Sequence, residues 1–159
     1  MRSFYLTAII VFIDQITKII IKKSLNLYES IDVFGSFLRF SFTENDGMGF
    51  GIDIGNYQFF LLIITFLITI YLIYFQYSQR DLSFYENLPM NLILGGAIGN
   101  LIDRTLMCIP SSGYGGVVDF IDIGFGYYRW FTFNIADVAI TFGIILYLLL
   151  PLLSDKNSS

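Results

Sequence analysis

VVDFIDIGFGYYRWFTFNIAD, residues Val117 to Asp137, is the stretch around which the rest of the chain is organised. It carries one acid, Asp119, in a short apolar run between glycines and a second, Asp137, at the mouth of the last long apolar run. Ionising a carboxyl group near lipid is costly, so an acid held there has a partner or a function. Two carboxylates brought close cannot both ionise readily, and one of them keeps a proton near neutral pH. One residue type then supplies a general base and a general acid, the two roles that water attack on a peptide bond requires. A local reading of Asp137 competes with this one. Asn134 is a good N-cap, and an acid three residues later resembles a capping box, with Asp in place of the usual Glu or Gln. Asp119 lies in VVDFIDI, which reads as a short strand with Val118, Phe120 and Asp122 on one face and Val117, Asp119 and Ile121 on the other.

The apolar run that Asp137 opens is one of several. The chain has 159 residues, 55% of them hydrophobic and only 14% charged. Four stretches approach the ~20 residues needed to cross a hydrocarbon core. The expectation is an all-α membrane protein, a single integral membrane domain over 1–159 with spans at about 4–21, 57–76, 88–106 and 135–153. The start Met1-Arg2 resembles a signal peptide, but Asp14, Gln15 and Lys18 interrupt the apolar core and no A-x-A site follows, so a retained helix is expected. Arg2, Arg80 and Lys156 lie on the tails and the short link, while Lys22, Lys23, Arg39, Arg104 and Arg129 lie on the two long loops and adjoining helix ends. Per residue the short segments are the more basic, which favours cytoplasmic termini.

Composition also excludes chemistry. There is no histidine, hence no His-based triad, ligand or proton relay. The single cysteine, Cys108, rules out an intramolecular disulfide framework and reads as a small apolar residue. A net charge of −4 argues against a nucleic-acid partner.

Between the spans, polar residues mark places of interest. In the first helix Asp14, Thr17 and Lys18 share a face, which suggests an intrahelical Asp14–Lys18 pair; with Gln15 it also suits anchoring a neighbouring element. Leu38, Phe40 and Phe42 alternate with Arg39, Ser41 and Thr43, the pattern of a half-buried strand, and Asn45 to Gly51 reads as a turn. Asn45 is either a plain turn residue or a functional one. The second helix carries no evident chemistry. In the third, Pro89 is expected in the first turn. Gly95, Gly96 and Gly99 suit close helix packing. Asn100 and Arg104 share one face beside Asp103, with Arg104 free to pair with Asp103 or with a carboxylate elsewhere. Thr105 to Gly116 reads as a loop, and Tyr127, Tyr128, Trp130, Phe131 and Phe133 as an aromatic cluster for a membrane interface.

DQITK at 14–18, END-G at 44–47 with Phe50, GGAIGNLIDR at 95–104, VVDFID at 117–122 and FNIAD at 133–137 stand in one order along the chain. Together they resemble the lipoprotein signal peptidase family, the type II signal peptidases of bacteria, over nearly the whole length. The resemblance implies a four-helix aspartyl endopeptidase of the bacterial cytoplasmic (inner) membrane. It implies cytoplasmic termini, an active site near the outer face and an extracytoplasmic β-sheet cradle. The implied substrates are prolipoproteins whose lipobox cysteine carries a diacylglyceryl group, cut just before that cysteine. The motif positions imply Asp119 and Asp137 as the catalytic dyad. They imply Asn45, Asn100, Arg104 and Asn134 as polar support or substrate contacts, and Asp14 and Lys18 as a structural pair. Membrane lipids are implied partners, and no metal or cofactor is implied. Two features depart from the family pattern: Met48 and Gly49 stand where two alanines are common, and the segment from Thr105 to Gly116 is longer. Two other readings compete: a non-enzymatic membrane scaffold or transporter subunit, and a Ser/Lys peptidase using Lys18 with Ser41 or Ser111.

Overall fold

A computed structural model of the chain describes residues 4–47, 57–79 and 83–154. Met48, Gly49, the rest of the turn through Gly51, and Arg2, Arg80 and Lys156 lie outside the described residues. Four long helices carry the apolar runs: α1 (Tyr5–Ser24), α2 (Tyr57–Ser78), α3 (Phe84–Met107) and α4 (Ile135–Ser154). The shortest have 20 residues, and 20 helical residues rise about 30 Å, the thickness of a hydrocarbon core. Gln58–Ser78 is by itself long and apolar enough to cross a membrane, and Ile135–Leu150 is a shorter apolar stretch. Large apolar side chains of α2, among them Phe59, Phe60, Phe66 and Tyr71, point outward and lie exposed.

α3 is the central helix and packs against the other three. Its small residues allow that. A Cβ on Gly96 would strike the Ala136 carbonyl of α4, and one on Gly99 would stand 2.6 Å from Oδ2 of Asp14 on α1. Gly96 thus permits backbone approach, whereas Gly99 makes room for a buried carboxylate. α3 also begins earlier than expected. Ser83 and Glu86 form a reciprocal capping box, so Pro89 lies in the second turn rather than the first. Proline there leaves only the carbonyl of Tyr85 without its usual i+4 donor. Ser83 with Glu86 is the S-x-x-E signature, and it outweighs proline as the start signal.

The two long loops meet in one antiparallel sheet, order β1-β2-β3-β4, built from Ser30–Phe34, Leu38–Asn45, Val117–Phe125 and Tyr128–Arg129. The sheet therefore draws on both loops. It caps the end of α1, where Ile21, Leu25, Phe42, Val118 and Phe120 form the buried core. β2 does not keep strict alternation. Phe40 pairs with Ile121 and Thr43 with Asp119, so Ser41 and Phe42 oppose Phe120 alone in a bulge. The backbone of Phe42 turns away from β3. Its N–H donates to the Glu29 carbonyl at 2.9 Å, and its carbonyl accepts from Tyr28 at 2.7 Å. Beyond the bulge, Thr43 and Asn45 lie on the face that Asp119 occupies.

The segment from Thr105 to Gly116 is less of a loop than expected. α3 continues to Met107, and Pro110–Ser112 forms a 3-10 turn. Cys108 is the exposed C-cap of α3 rather than a packed apolar residue. Lys22 pairs with Glu44 and lies over the rings of Phe42 and Tyr114 at 5.2 and 4.5 Å. Glu44 in turn accepts from the Gly115 N–H at 2.9 Å, which ties the segment to β2. At the far end of the sheet Tyr127, Tyr128, Trp130 and Phe131 are highly exposed, while Phe133 bridges to Ile121.

Candidate active site

Asp119 and Asp137 reach the same place from different elements. β3 is buried on both faces between Val117 and Phe120, and Asp119 is 3% exposed there. Asp137 stands in the first turn of α4 and is half-buried. Asn134 joins them. Its Nδ2 donates to Oδ1 of Asp119 at 2.7 Å and to the Val118 carbonyl at 3.3 Å. Its Oδ1 accepts from the Asp137 N–H at 2.9 Å, and its own N–H donates to Oδ2 of Asp137 at 3.2 Å. The capping box suggested by Asn134 and Asp137 is therefore formed, and the cap residue holds the other acid as well. The two readings of Asp137 are compatible, because capping fixes where its carboxylate stands.

Two further amides complete the surround. Asn45 Nδ2 donates to Oδ2 of Asp119 at 3.1 Å, while its Oδ1 accepts from the Gly47 N–H at 2.9 Å. Asn45 therefore both shapes its turn and touches the acid. The bulge in β2 is what turns Asn45 to this face, since a one-residue slip reverses every later side chain. Asn100 Nδ2 donates to Oδ1 of Asp137 at 2.8 Å, and its Oδ1 accepts from Asn134 at 3.2 Å and Lys18 at 3.1 Å. Arg104 lies one turn further along α3, its Nη1 3.6 Å from where a Cβ on Gly47 would stand. It is thus placed beside the Asn45 turn.

Amides satisfy carboxylate oxygens without adding charge, so they leave the repulsion between the acids in force. Burial first, and then the nearby Asp137 charge, push the Asp119 carboxyl up to about 7, against the smaller opposing effects of Asn45, Asn134 and Lys18. An acid so raised holds a proton near neutral pH beside a second carboxyl group. That is the acid–base asymmetry expected of the pair.

The Asp14–Lys18 pair is formed at 2.8 Å and fully buried. Sequence reasoning missed its third member. Asp103 bonds Lys18 at 3.0 Å, although in sequence it lies next to Arg104. Adjacent residues on a helix point in different directions, so adjacency was no guide. The Ser/Lys alternative finds no matching geometry here: Lys18 bonds Asp14, Asp103 and Asn100, Ser41 bonds Asp122 at 3.2 Å, and Ser111 is exposed.

Comparison with known proteins gives a consistent set of similarities. The family model described as signal peptidase (SPase) II matches residues 6–153. A lipoprotein signal peptidase of Psychromonas ingrahamii is 38% identical over 149 residues, covering 92% of this chain and 82% of that protein. One of Staphylococcus aureus is 36% identical over 156 residues, covering 98% and 90%. A bacterial membrane enzyme solved by the in meso method at 1.9 Å superposes with a TM-score of 0.80 at 36% identity, covering 95% of this chain and 92% of that one. Another, at 2.3 Å, gives 0.78 at 35% identity, covering 99% and 91%.

Proposed function

The chain belongs to the signal peptidase II family, and from that premise we propose that Asp119 and Asp137 are the dyad with which it cuts. It is a bacterial membrane enzyme, an aspartic endopeptidase that removes signal peptides from prolipoproteins, and we place its cut just before the lipidated cysteine. The observation that carries the dyad assignment is Asn134, one residue hydrogen-bonded to both acids. In the mechanism, a water is held between the carboxyl groups. The ionised acid takes a proton from it as its oxygen bonds to the scissile carbonyl carbon. The protonated acid gives its proton to the carbonyl oxygen, leaving a tetrahedral diol. The first acid, now protonated, passes its proton to the amide nitrogen while the second, now ionised, takes a hydroxyl proton from the diol, so that the C–N bond breaks, the cysteine amine leaves and the signal peptide ends in a carboxyl group. Burial favours Asp119 as the acid that starts protonated, within a pair that titrates as a unit. Asn45, Asn100 and Asn134 orient the acids, and Arg104 supports the Asn45 turn on the substrate side.

The four helices all span the bilayer, as one integral domain with cytoplasmic termini. Asp137 stands in the first turn of α4, so the dyad lies at the outer face, within roughly one helical turn, ~5 Å, of where the fourth span starts. The lipid chains of the substrate stay against the helices, in contact with membrane lipid. The peptide lies against the sheet near Phe40 and Asn45, on its face rather than along an edge, because β1 and β3 flank β2 at Phe40 and take up its main-chain groups. The exposed aromatic end of the sheet rests at the interface.

The test is cleavage in vitro of a lipobox precursor with and without its diacylglyceryl group. The lipidated precursor is expected to be cut far faster. Equal rates would overturn this placement of the substrate even with the dyad confirmed.

A further inference from the structure

Behind the two acids lies a second ionic group that catalysis does not directly use. The Lys18 ammonium sits between Asp14 and Asp103, and all three side chains are at most 1% exposed. Two carboxylates thus share one buried ammonium. Desolvating three charges is expensive, and apolar residues of similar size often serve stability as well or better. The remaining bonds of the cluster show what it holds. Oδ1 of Asp14 accepts from the Ala136 N–H at 2.8 Å. Oδ2 of Asp103 accepts from the Val118 N–H at 3.1 Å. Ala136 immediately precedes Asp137, and Val118 immediately precedes Asp119. Gln15 ties the two carboxylates together, its Nε2 3.1 Å from Asp14, 3.0 Å from Asp103 and 3.1 Å from the Gly99 carbonyl. Lys18 adds a bond to Asn100, which donates to Asp137.

We propose that Asp103, with Asp14, Lys18 and Gln15, is a positioning cluster: each carboxylate holds the peptide N–H one residue before one acid of the dyad, and their shared lysine and glutamine set the spacing of the dyad. The inference rests on the dyad reading above. A strand and a helix start from distant parts of the chain meet here, and neither is covalently constrained to the other. Bonds at the residues next to the acids fix the backbone from which each side chain projects. A misplacement of about 1 Å in a reacting group can cost ~100-fold in rate.

The test uses the purified full chain in detergent with a lipidated lipobox precursor, and compares Asp103→Leu, Asp103→Asn, Gln15→Met and, as control, Asp119→Asn. Asp103→Leu removes the acceptor for Val118 and leaves Asp14 and Lys18 matched in charge. Its kcat is expected to fall by roughly 100-fold with KM nearly unchanged. Asp103→Asn keeps an oxygen for Val118 and is expected to recover most of that loss, a rescue that a bulk role in stability does not produce. Gln15→Met changes no charge and is expected to lower kcat several-fold, again without a change in KM. A folded Asp103→Leu with the parent kcat overturns the cluster, as does an effect confined to KM. If Asp103→Leu fails to fold, Gln15→Met at full kcat overturns it equally. An inactive Asp119→Asn beside such results leaves the dyad standing, whereas an active Asp119→Asn removes the dyad reading and this inference with it.

Discussion

Asn134 donates its side-chain N–H to Oδ1 of Asp119 at 2.7 Å. The same residue caps α4, whose first turn carries Asp137. Helix start and strand are therefore held at one point, and the separation of the two acids does not depend on the loop between them. A dyad assembled from two elements needs such support, since side chains left to their own rotamers would sample many separations.

Asp119→Asn and Asp137→Asn are each expected to abolish nearly all cleavage while the protein stays folded in detergent. Residues that act as one unit are not additive, so the double variant should be little worse than either single one. Single-turnover cleavage of a lipidated precursor measures this, and near-parent rates in either single variant would refute the assignment.

The dyad should lose activity on the alkaline side near neutrality. Asp119 is pushed up to about 7 from 3.8, mainly by burial and then by Asp137. Above that value the second proton-binding site of the pair empties and no acid remains. Asn45 opposes the rise, so Asn45→Ala should move the alkaline limb of kcat upward in pH. A pH–rate profile of the two proteins decides it; an unmoved or lowered limb counts against Asn45 as a partner of Asp119.

Stability should show the same group with a defined sign. Between 3.8 and about 7 the folded chain holds a proton on Asp119 that the unfolded chain has released. The contribution of Asp119 is therefore largest in acid and is lost as pH rises through this window. Asp119→Asn should flatten that part of the stability profile, which thermal unfolding in detergent from acid to neutral pH will report.

Asn134→Ala should cost both rate and stability. It removes the cap of α4, worth about 0.5–2 kcal/mol in comparable helices, and takes one buried donor from Asp119. A variant as stable as the parent would show that the Asn134–Asp137 box contributes nothing.

Lys18→Met should be among the most destabilising single changes. It strands Asp14 and Asp103 as buried carboxylates without their ammonium, and breaking such a group costs roughly 3–5 kcal/mol. Changing all three residues together to apolar ones should restore much of the loss. Chemical unfolding of the single and triple variants checks this, and equal midpoints would argue against an ionic cluster.

Much of this protein was legible without coordinates because its strongest signals are local. The long apolar runs became helices, with bounds shifted by a few residues where helix starts compete, as at Ser83 and Pro89. The capping relation of Asn134 to Asp137 spans three positions and could be read directly. Alternation marked β2 and β3, and ordered motifs pointed to the family and to the two acids. Tertiary structure alone decided what depends on contacts far apart in sequence. The bulge at Ser41 and Phe42 leaves no trace in the alternation, yet it turns Asn45 towards Asp119. Asp103 lies beside Arg104 in the chain but faces Lys18 in the fold. The fully buried Asp14 bonds the N–H of Ala136, 122 positions away. Periodicity says which face of an element is buried; which polar group meets it across the interface is settled only when the backbones pack and every buried donor and acceptor must find a partner.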